Sequence, residues 1–590
     1  VDQAHGTALT VLVGSNTGTC EDIAATLENE AKRQGYAPVV TTLDSMVKDG
    51  LPRDGVVVVI TSTYNGFPPD NAVQFDAWLK DAARSVSELD GVRYAVLGVG
   101  NRQWRTYQAF PILVDSRLTK LGATRLMERG DADVDSNYEE QALSWMTLLW
   151  PQLAVSLGLS AVAAKGDGGG GLSVETVTAE AMPMPPIPDT VAATVVEKRE
   201  LQSEASERST VLLGLELPSG VTYGVGDHLA IYPTNDPDTV QRFLSRLQLD
   251  GDMVVVVSAK DDAARRVASR RCLPLDVAVS LRHVVSSCVD LSHPPSRHCL
   301  AAMAEAAGDA SERAALRSLS DDTAEAMAKH TDEILRREWT PLDVLNAFPS
   351  VTLSAADILG ILPPLKCRFY SISSSPLVAP TTPRITVGVV DYQRLDGTRR
   401  RGVCSGAISQ ATQGGTMLVR VKDTRGGFAP PASLSTPIIM VGPGTGVAPF
   451  LGFLEHRRSL AASSHDTPGK SLLFFGCRRR GEDDIYSDEL QAFVEDGTLG
   501  SLHVAYSREG PTKTYVQHLL HEHKDAVWQM LSQGAHIYVC GDAKSMAPDV
   551  YNAFVDIVEV GGPKTRVLAE RYVAAMQEAG RYIEDVWAST

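Results

Sequence analysis

Arg368-Phe369-Tyr370-Ser371-Ile372-Ser373-Ser374 sets a cation beside aromatic rings and several hydroxyls. An arginine can pair two N–H groups with phosphate oxygens. Tyr370 offers a stacking face, and Ser371 a small donor near a ring. The set suits a flavin that carries a pyrophosphate; the bland alternative is a surface salt bridge next to a solvated turn. Gly402-Val403-Cys404-Ser405 has the form of a phosphate turn opening a helix, where unpaired N–H groups meet an anion. Gly442-Pro443-Gly444-Thr445-Gly446 follows an apolar run and precedes a helical one. Its glycines would let backbone N–H groups approach a pyrophosphate. Ser507, Arg508, Lys513, Tyr515 and Gln517 follow a later strand. Two cations, hydroxyls and a ring in one loop suit the 2′-phosphate of an adenosine, which points to NADPH rather than NADH. Cys540-Gly541-Asp542 ends another apolar run, and Asp585 and Trp587 stand near the last residue.

A second constellation lies near the start of the chain. Ser15-Asn16-Thr17-Gly18-Thr19 follows an apolar run and opens a helical one. A helix N-terminus with added hydroxyls would hold a monoester phosphate; an ordinary capped turn would look the same. Two further loops favour the phosphate. Tyr64-Asn65-Gly66 follows Val56–Ile60, and Gly100-Asn101-Arg102-Gln103-Trp104 follows Tyr94–Gly98. Each carries an aromatic that could stack on a planar ring. A phosphate loop plus two aromatic loops at strand ends suits FMN.

Such loops need parallel strands to aim them. Leu9–Val13, Val56–Ile60 and Tyr94–Gly98 read as buried strands, with helices expected over Glu21–Gln34, Ala72–Ala83 and Ile112–Leu121. The alternation predicts an α/β doubly wound domain over residues 1–155. Lys165–Gly171 is Gly-rich and Met182–Pro188 Pro-rich, so 156–190 reads as a flexible linker that would let one domain swing between donor and acceptor. A β domain is expected over 191–430, interrupted by a helical insert at about 237–350. A second doubly wound unit is expected over 431–590, with strands at Ile438–Val441, Leu472–Phe475, His503–Ala505 and Ile537–Val539.

The bulk properties narrow the class. A chain of 590 residues suits several domains, and its net charge of −17 argues against nucleic acid, whose phosphates need cations. Eight cysteines are scattered without a C-x-x-C pair, so no metal site is expected, and reduced thiols fit a cytoplasmic setting. Neither a signal peptide nor a membrane span is expected from the apolar runs.

The N-terminal unit resembles flavodoxin. By that resemblance Tyr64 and Trp104 sandwich the flavin ring, with Asp131 and Asp133 nearby. The later motifs, in their order, resemble the ferredoxin–NADP reductase family: an FAD-binding β-barrel, a helical connecting insert and an NADP-binding domain. Together the two units resemble the diflavin reductases related to cytochrome P450 reductase. The resemblance implies that Arg368, Tyr370, Ser371 and Ser405 hold FAD and that Arg478 meets the cofactor pyrophosphate. It also implies that Ser371, Cys540 and Asp585 surround the hydride path, and that Trp587 covers FAD until nicotinamide displaces it. Leu451 stands where several relatives carry Arg, and Cys404 where Ala is commoner. Tyr64-Asn65-Gly66-Phe67-Pro68-Pro69, Lys513-Thr514-Tyr515 and Arg581-Tyr582-Ile583-Glu584-Asp585-Val586-Trp587 look most like the reductase half of self-sufficient cytochrome P450 fatty-acid hydroxylases. That likeness implies an oxidoreductase passing electrons from NADPH to FAD to FMN to a haem-thiolate domain, expected before Val1. No haem-thiolate motif F-x-x-G-x-x-x-C-x-G occurs in this sequence. The alternatives are the flavoprotein subunit of sulfite reductase, whose members usually end in Tyr at the Trp587 position, and a redox-inactive module of the same fold.

Overall fold

The computed structural model describes residues 5–16, 18–64, 66–134, 138–159, 172–260, 264–265, 268–269, 271–321, 323–424, 427–464, 466–562 and 564–587. Thr17, Asn65 and the Gly-rich stretch 165–171 lie outside the described residues. The chain divides into two compact units, one chiefly residues 1–171, the other Leu172–Ser258 with Arg271–Trp587.

The first unit is a parallel sheet of β1 (Ala8–Gly14), β2 (Ala37–Thr42), β3 (Val56–Ser62), β4 (Arg93–Gly100), β5 (Thr124–Arg125) and β6 (Gly130–Asp133). The order is β2-β1-β3-β4-β5, with β6 also on β4. The run Val56-Val57-Val58-Val59-Ile60 is buried throughout, as a central strand covered on both faces must be. One apolar layer packs under the helices Thr19–Arg33 and Tyr138–Leu157, the other under Val73–Lys80 and Ala109–Lys120. The helix expected over Ala72–Ala83 stops at Lys80. There the Asp81 carboxylate accepts from the Ala83 N–H at 2.9 Å, a local bond that competes with helix continuation. In this strand order a ligand sits beyond the C-terminal ends of β1 and β3.

The second unit holds β7 (Leu172–Thr176), β8 (Val191–Glu200), β9 (Thr210–Glu216), β10 (His228–Tyr232), β11 (Val254–Ala259), β12 (Ala278–Ser280), β13 (Arg368–Ser371), β14 (Arg384–Gly388), β15 (Asp391–Gln393), β16 (Arg399–Arg401) and β17 (Thr416–Lys422). The main antiparallel sheet runs β13-β10-β17-β8-β9-β14. A parallel sheet follows, built from β18 (Ile438–Val441), β19 (Ser471–Cys477), β20 (Ser501–Tyr506), β21 (His536–Asp542) and β22 (Tyr582–Trp587), in the order β20-β19-β18-β21-β22.

Two expectations change here. β7 lies inside the stretch read as linker and joins β11 and β12 in a small sheet. Its first four residues alternate apolar and polar, a strand pattern hidden between Gly-rich and Pro-rich neighbours. The insert expected to be helical likewise contributes β11 and β12, because Val254-Val255-Val256-Val257 is β-branched. Elsewhere the insert is helical, its helices opened by side-chain caps at Asp236, Ser280, Ser296, Asp309 and Thr340.

Candidate functional site

Strand register builds the core of the site. His228 on β10 stands directly opposite Ser371 on β13, and Cys540 on β21 directly opposite Asp585 on β22. Partners directly opposite point to the same face. All four side chains meet at one carboxylate. The Ser371 hydroxyl donates to Asp585 Oδ2 at 2.7 Å, and His228 Nε2 lies 3.0 Å from both Asp585 oxygens. Cys540 Sγ approaches Oδ2 at 3.9 Å. His228 and Asp585 are each 6% exposed and Cys540 1%, so water screens this cluster little.

Burial raises the pKa of the Asp585 carboxyl. The His228 charge, with hydrogen bonds from His228, Ser371 and Cys540, outweighs it and leaves the group below the usual carboxylate value. Burial pulls His228 down, and the Asp585 charge and hydrogen bond more than reverse that. Burial first, then the Asp585 charge, push the Cys540 thiol far up, so the sulfur stays protonated and apolar in character. The arrangement is a buried imidazolium–carboxylate pair flanked by a hydroxyl and a thiol.

His228 Nδ1 is buried with no hydrogen-bond partner among the described residues. An unpaired buried donor or acceptor is costly, and a ligand with polar ring edges, such as a flavin, would satisfy it. Trp587 ends β22, the strand that carries Asp585, and is 38% exposed.

The other residues expected to hold FAD lie on β13 and at the start of the helix Val403–Gln410. Arg368 is exposed, and its guanidinium donates to the Lys366 carbonyl at 3.0 Å. The Lys422 ammonium lies 5.4 Å from the centre of the Phe369 ring. Tyr370 is half-buried, with its hydroxyl pKa pushed up by burial. Gly402 precedes the helix Val403–Gln410, and Ser405 accepts from the Val390 N–H at 3.1 Å. The Cys404 side chain faces the apolar core, so only its backbone can meet a phosphate.

The nucleotide loops lie at the C-terminal ends of the parallel strands. Gly446 packs so tightly that an added Cβ would stand 2.1 Å from the Cys540 carbonyl oxygen, which holds the Gly442–Gly446 turn against β21. Gly444 and Thr445 sit at the tip of that turn. Arg478 and Arg508 follow β19 and β20, and the Arg508 N–H donates to the Arg478 carbonyl at 2.9 Å. Burial first, then the charges of Arg208 and Arg508, lower the Arg478 pKa. Three guanidiniums that repel one another fit a site for phosphates. Lys513 and Tyr515 are exposed. Three expected contacts are already spent on the protein. Ser507 Oγ donates to the Cys477 carbonyl at 3.1 Å, and Gln517 Nε2 to Asp549 at 3.0 Å. Asp542 accepts from Ser545 at 2.8 Å and from Met546 at 3.3 Å, at the start of a helix.

In the first unit, Gly18 takes φ 91° to open the helix Thr19–Arg33, with open space on its Cβ side. That left-handed turn aims the first N–H groups outward. Ser15 Oγ accepts from the Gly18 N–H at 3.1 Å, and Asn16 Oδ1 from the Asp70 N–H at 2.7 Å. Asn16 therefore ties the phosphate loop to the loop carrying Tyr64 and Gly66. Tyr64 and Phe67 exchange backbone hydrogen bonds at 3.0 and 2.8 Å. Gly100 ends β4, and half-buried Trp104 follows with its indole N–H buried and unpartnered among the described residues. Asp133 Oδ1 accepts from the Arg102 N–H at 2.9 Å, while Asp131 pairs with Arg129 at 2.9 Å. Asp133 thus braces the Trp104 loop.

Sequence reasoning missed His228 and Arg208. His228 opens an apolar strand and meets a partner 357 residues away, so no spacing marks it. Arg208 sits in a charged hairpin tip that reads as solvated.

Family models agree with this layout: Flavodoxin over residues 11–145, an FAD binding domain over 187–406 and an Oxidoreductase NAD-binding domain over 440–552. These are domains that take FMN, FAD and NADPH. A bifunctional cytochrome P450/NADPH–P450 reductase of Bacillus subtilis is 37% identical over 586 residues, 99% of this chain and 54% of the relative. The chain spans about half the length of that relative. NADPH–cytochrome P450 reductase of Oryctolagus cuniculus is 34% identical over 612 residues, 99% of this chain and 89% of the relative, and the Homo sapiens protein is similar at 34%. The chain therefore belongs to the NADPH–cytochrome P450 reductase family of diflavin oxidoreductases.

Proposed function

We propose that this chain takes hydride from NADPH, passes the electrons singly and delivers them to a haem-thiolate acceptor, as the reductase part of a self-sufficient monooxygenase. The buried cluster of His228, Ser371, Cys540 and Asp585 carries this reading, because it puts a held anion between the barrel strands and the nucleotide strands. FAD and FMN, when bound, supply the conversion of a two-electron input into one-electron outputs. The Asp585 carboxylate, kept ionised by His228, is suited to meet the positive charge that grows on a nicotinamide as it loses hydride. Ser371 and Cys540 orient that carboxylate and exclude water from it.

Ser371, Tyr370, Arg368 and the turn Gly402–Ser405 are proposed to hold FAD; Gly444, Thr445, Arg478, Arg508, Lys513 and Tyr515 to hold NADPH; and the loops of Ser15–Thr19, Tyr64 and Trp104 to hold FMN. The proposed division of labour is 1–155 for FMN, 191–430 for FAD and 431–590 for NADPH. The proposed partner is a haem-thiolate domain N-terminal to Val1 in a longer polypeptide, as the names of the bacterial cytochrome P450/reductase relatives suggest. No helix among the described residues is long and apolar enough to cross a membrane, and all eight cysteines are free thiols. A cytoplasmic setting is proposed on that support.

The test is Asp585→Asn in anaerobic stopped flow with NADPH. Flavin bleaching should slow by roughly 10²- to 10³-fold, as for loss of one preorganised electrostatic partner, with nucleotide affinity nearly unchanged. Bleaching at the wild-type rate would remove Asp585 from the hydride step.

A further inference from the structure

The tip of the hairpin joining β8 to β9 reaches the nucleotide sheet. The Ser203 N–H donates to the Glu482 carbonyl at 3.1 Å, and the Ser206 hydroxyl to the Asp483 carboxylate at 2.7 Å. At the base of the hairpin Arg199 pairs with Glu489 at 2.6 Å. These contacts fix where the tip lies. They bring one carboxylate oxygen, Glu207 Oε2, between two guanidiniums: 4.0 Å from Arg478 Nη1 and 3.9 Å from Arg508 Nη1.

Both distances are long for an ion pair, and the Glu207 side chain is 81% exposed. The carboxylate is therefore shared between the arginines and committed to neither. Arg208, Arg478 and Arg508 are neighbouring cations, and Arg478 feels first the carboxylate of Asp483, which is tied to Ser206, and then that of Glu207. Glu207 supplies one negative charge where a 2′-phosphorylated dinucleotide would bring several. An exposed, loosely paired carboxylate leaves such a place at small cost, because surface ion pairs are weak.

We propose that Glu207 is a resident counterion of the nucleotide site, held between Arg478 and Arg508 until an adenosine 2′-phosphate group displaces it. This rests on the reading of NADPH as the electron donor. Glu207 opposes binding in two ways: it competes for the guanidiniums beforehand and repels the phosphate afterwards. It therefore weakens affinity for the oxidised nucleotide as much as for the reduced one and speeds product release.

The test is calorimetric titration of the full chain with adenosine 2′,5′-bisphosphate, which carries no nicotinamide and undergoes no redox step. Glu207→Gln should bind it roughly two- to five-fold more tightly at low salt, the worth of an exposed charge contact. The gain should shrink at high salt as the charges are screened. Glu204→Gln removes one charge from the same tip without emptying the gap between the arginines, and should shift affinity less. Unchanged or weaker binding by Glu207→Gln, in a protein that still prefers the 2′,5′-bisphosphate over adenosine 5′-phosphate, overturns the counterion. Equal binding of the two nucleotides by the wild type overturns the NADPH reading, and the inference with it.

Discussion

Asp585 and His228 are worth more as a pair than either alone, because each makes the other's charge tolerable in a site that excludes water. The raised His228 pKa gives stability that is complete below the free histidine value of about 6.5 and is lost as pH climbs through the raised value. The lowered Asp585 pKa gives stability present above the free carboxyl value of about 3.9 and lost as pH falls through the lowered value. Replacing His228 by Gln should therefore destabilise most between about pH 5 and 6.5, by roughly 3 kcal/mol for a broken buried pair. The melting-temperature gap to wild type should narrow toward pH 9. A gap that widens with rising pH would show that the pair is not charged as described. Ser371, Cys540 and Asp585 were legible because they sit in motifs that resemble a known family. His228 was not, since its importance arises only when β10 is laid beside β13 and across from β22.

Among the elements, loops at strand C-termini carry the residues proposed to meet the phosphates, while the strands themselves carry His228, Ser371, Cys540 and Asp585. Such loops are readable in sequence because a buried β-branched run ends abruptly in Gly, Thr, Ser or an aromatic, as Val56–Ile60 ends toward Tyr64. β7 was unreadable because four alternating residues give a weak signal between two spacer-like compositions. Asp542 and Gln517 already have partners within the protein. Their types suit a ligand, yet the fold spends them on the helix at Met546 and on Asp549. Asp133 braces the Trp104 loop through the Arg102 N–H, so truncating the ring should loosen FMN without unfolding the domain. Trp104→Ala should lose the roughly 0.5 to 1.5 kcal/mol that stacking adds beyond burial. After dialysis, flavin analysis should show FMN depleted and FAD kept. FAD lost with FMN retained would reverse the assignment of the two units.

Over the whole molecule the charge is negative and uneven in use. Residues 1–155 carry 20 Asp and Glu against 13 Lys and Arg, a net of −7. An acidic delivery domain attracts a basic acceptor face, and attraction between exposed charges fades beyond a Debye length of about 8 Å at physiological salt. Electron delivery to a separately supplied basic acceptor should accordingly slow as salt rises, with the NADPH-to-flavin step in the same samples as the control. A flat profile would leave the acidity as a solubility feature. The domain classes were legible from composition and motif order alone, whereas the acceptor is not written in this stretch of chain. The most direct measurement of the central claim is therefore anaerobic reduction of a ferric haem-thiolate protein under carbon monoxide, followed by the ferrous–carbonyl absorbance. The band should form with NADPH and full flavin content, and should fail in FMN-depleted Trp104→Ala while ferricyanide reduction survives. A band that forms equally fast without FMN would contradict the claim.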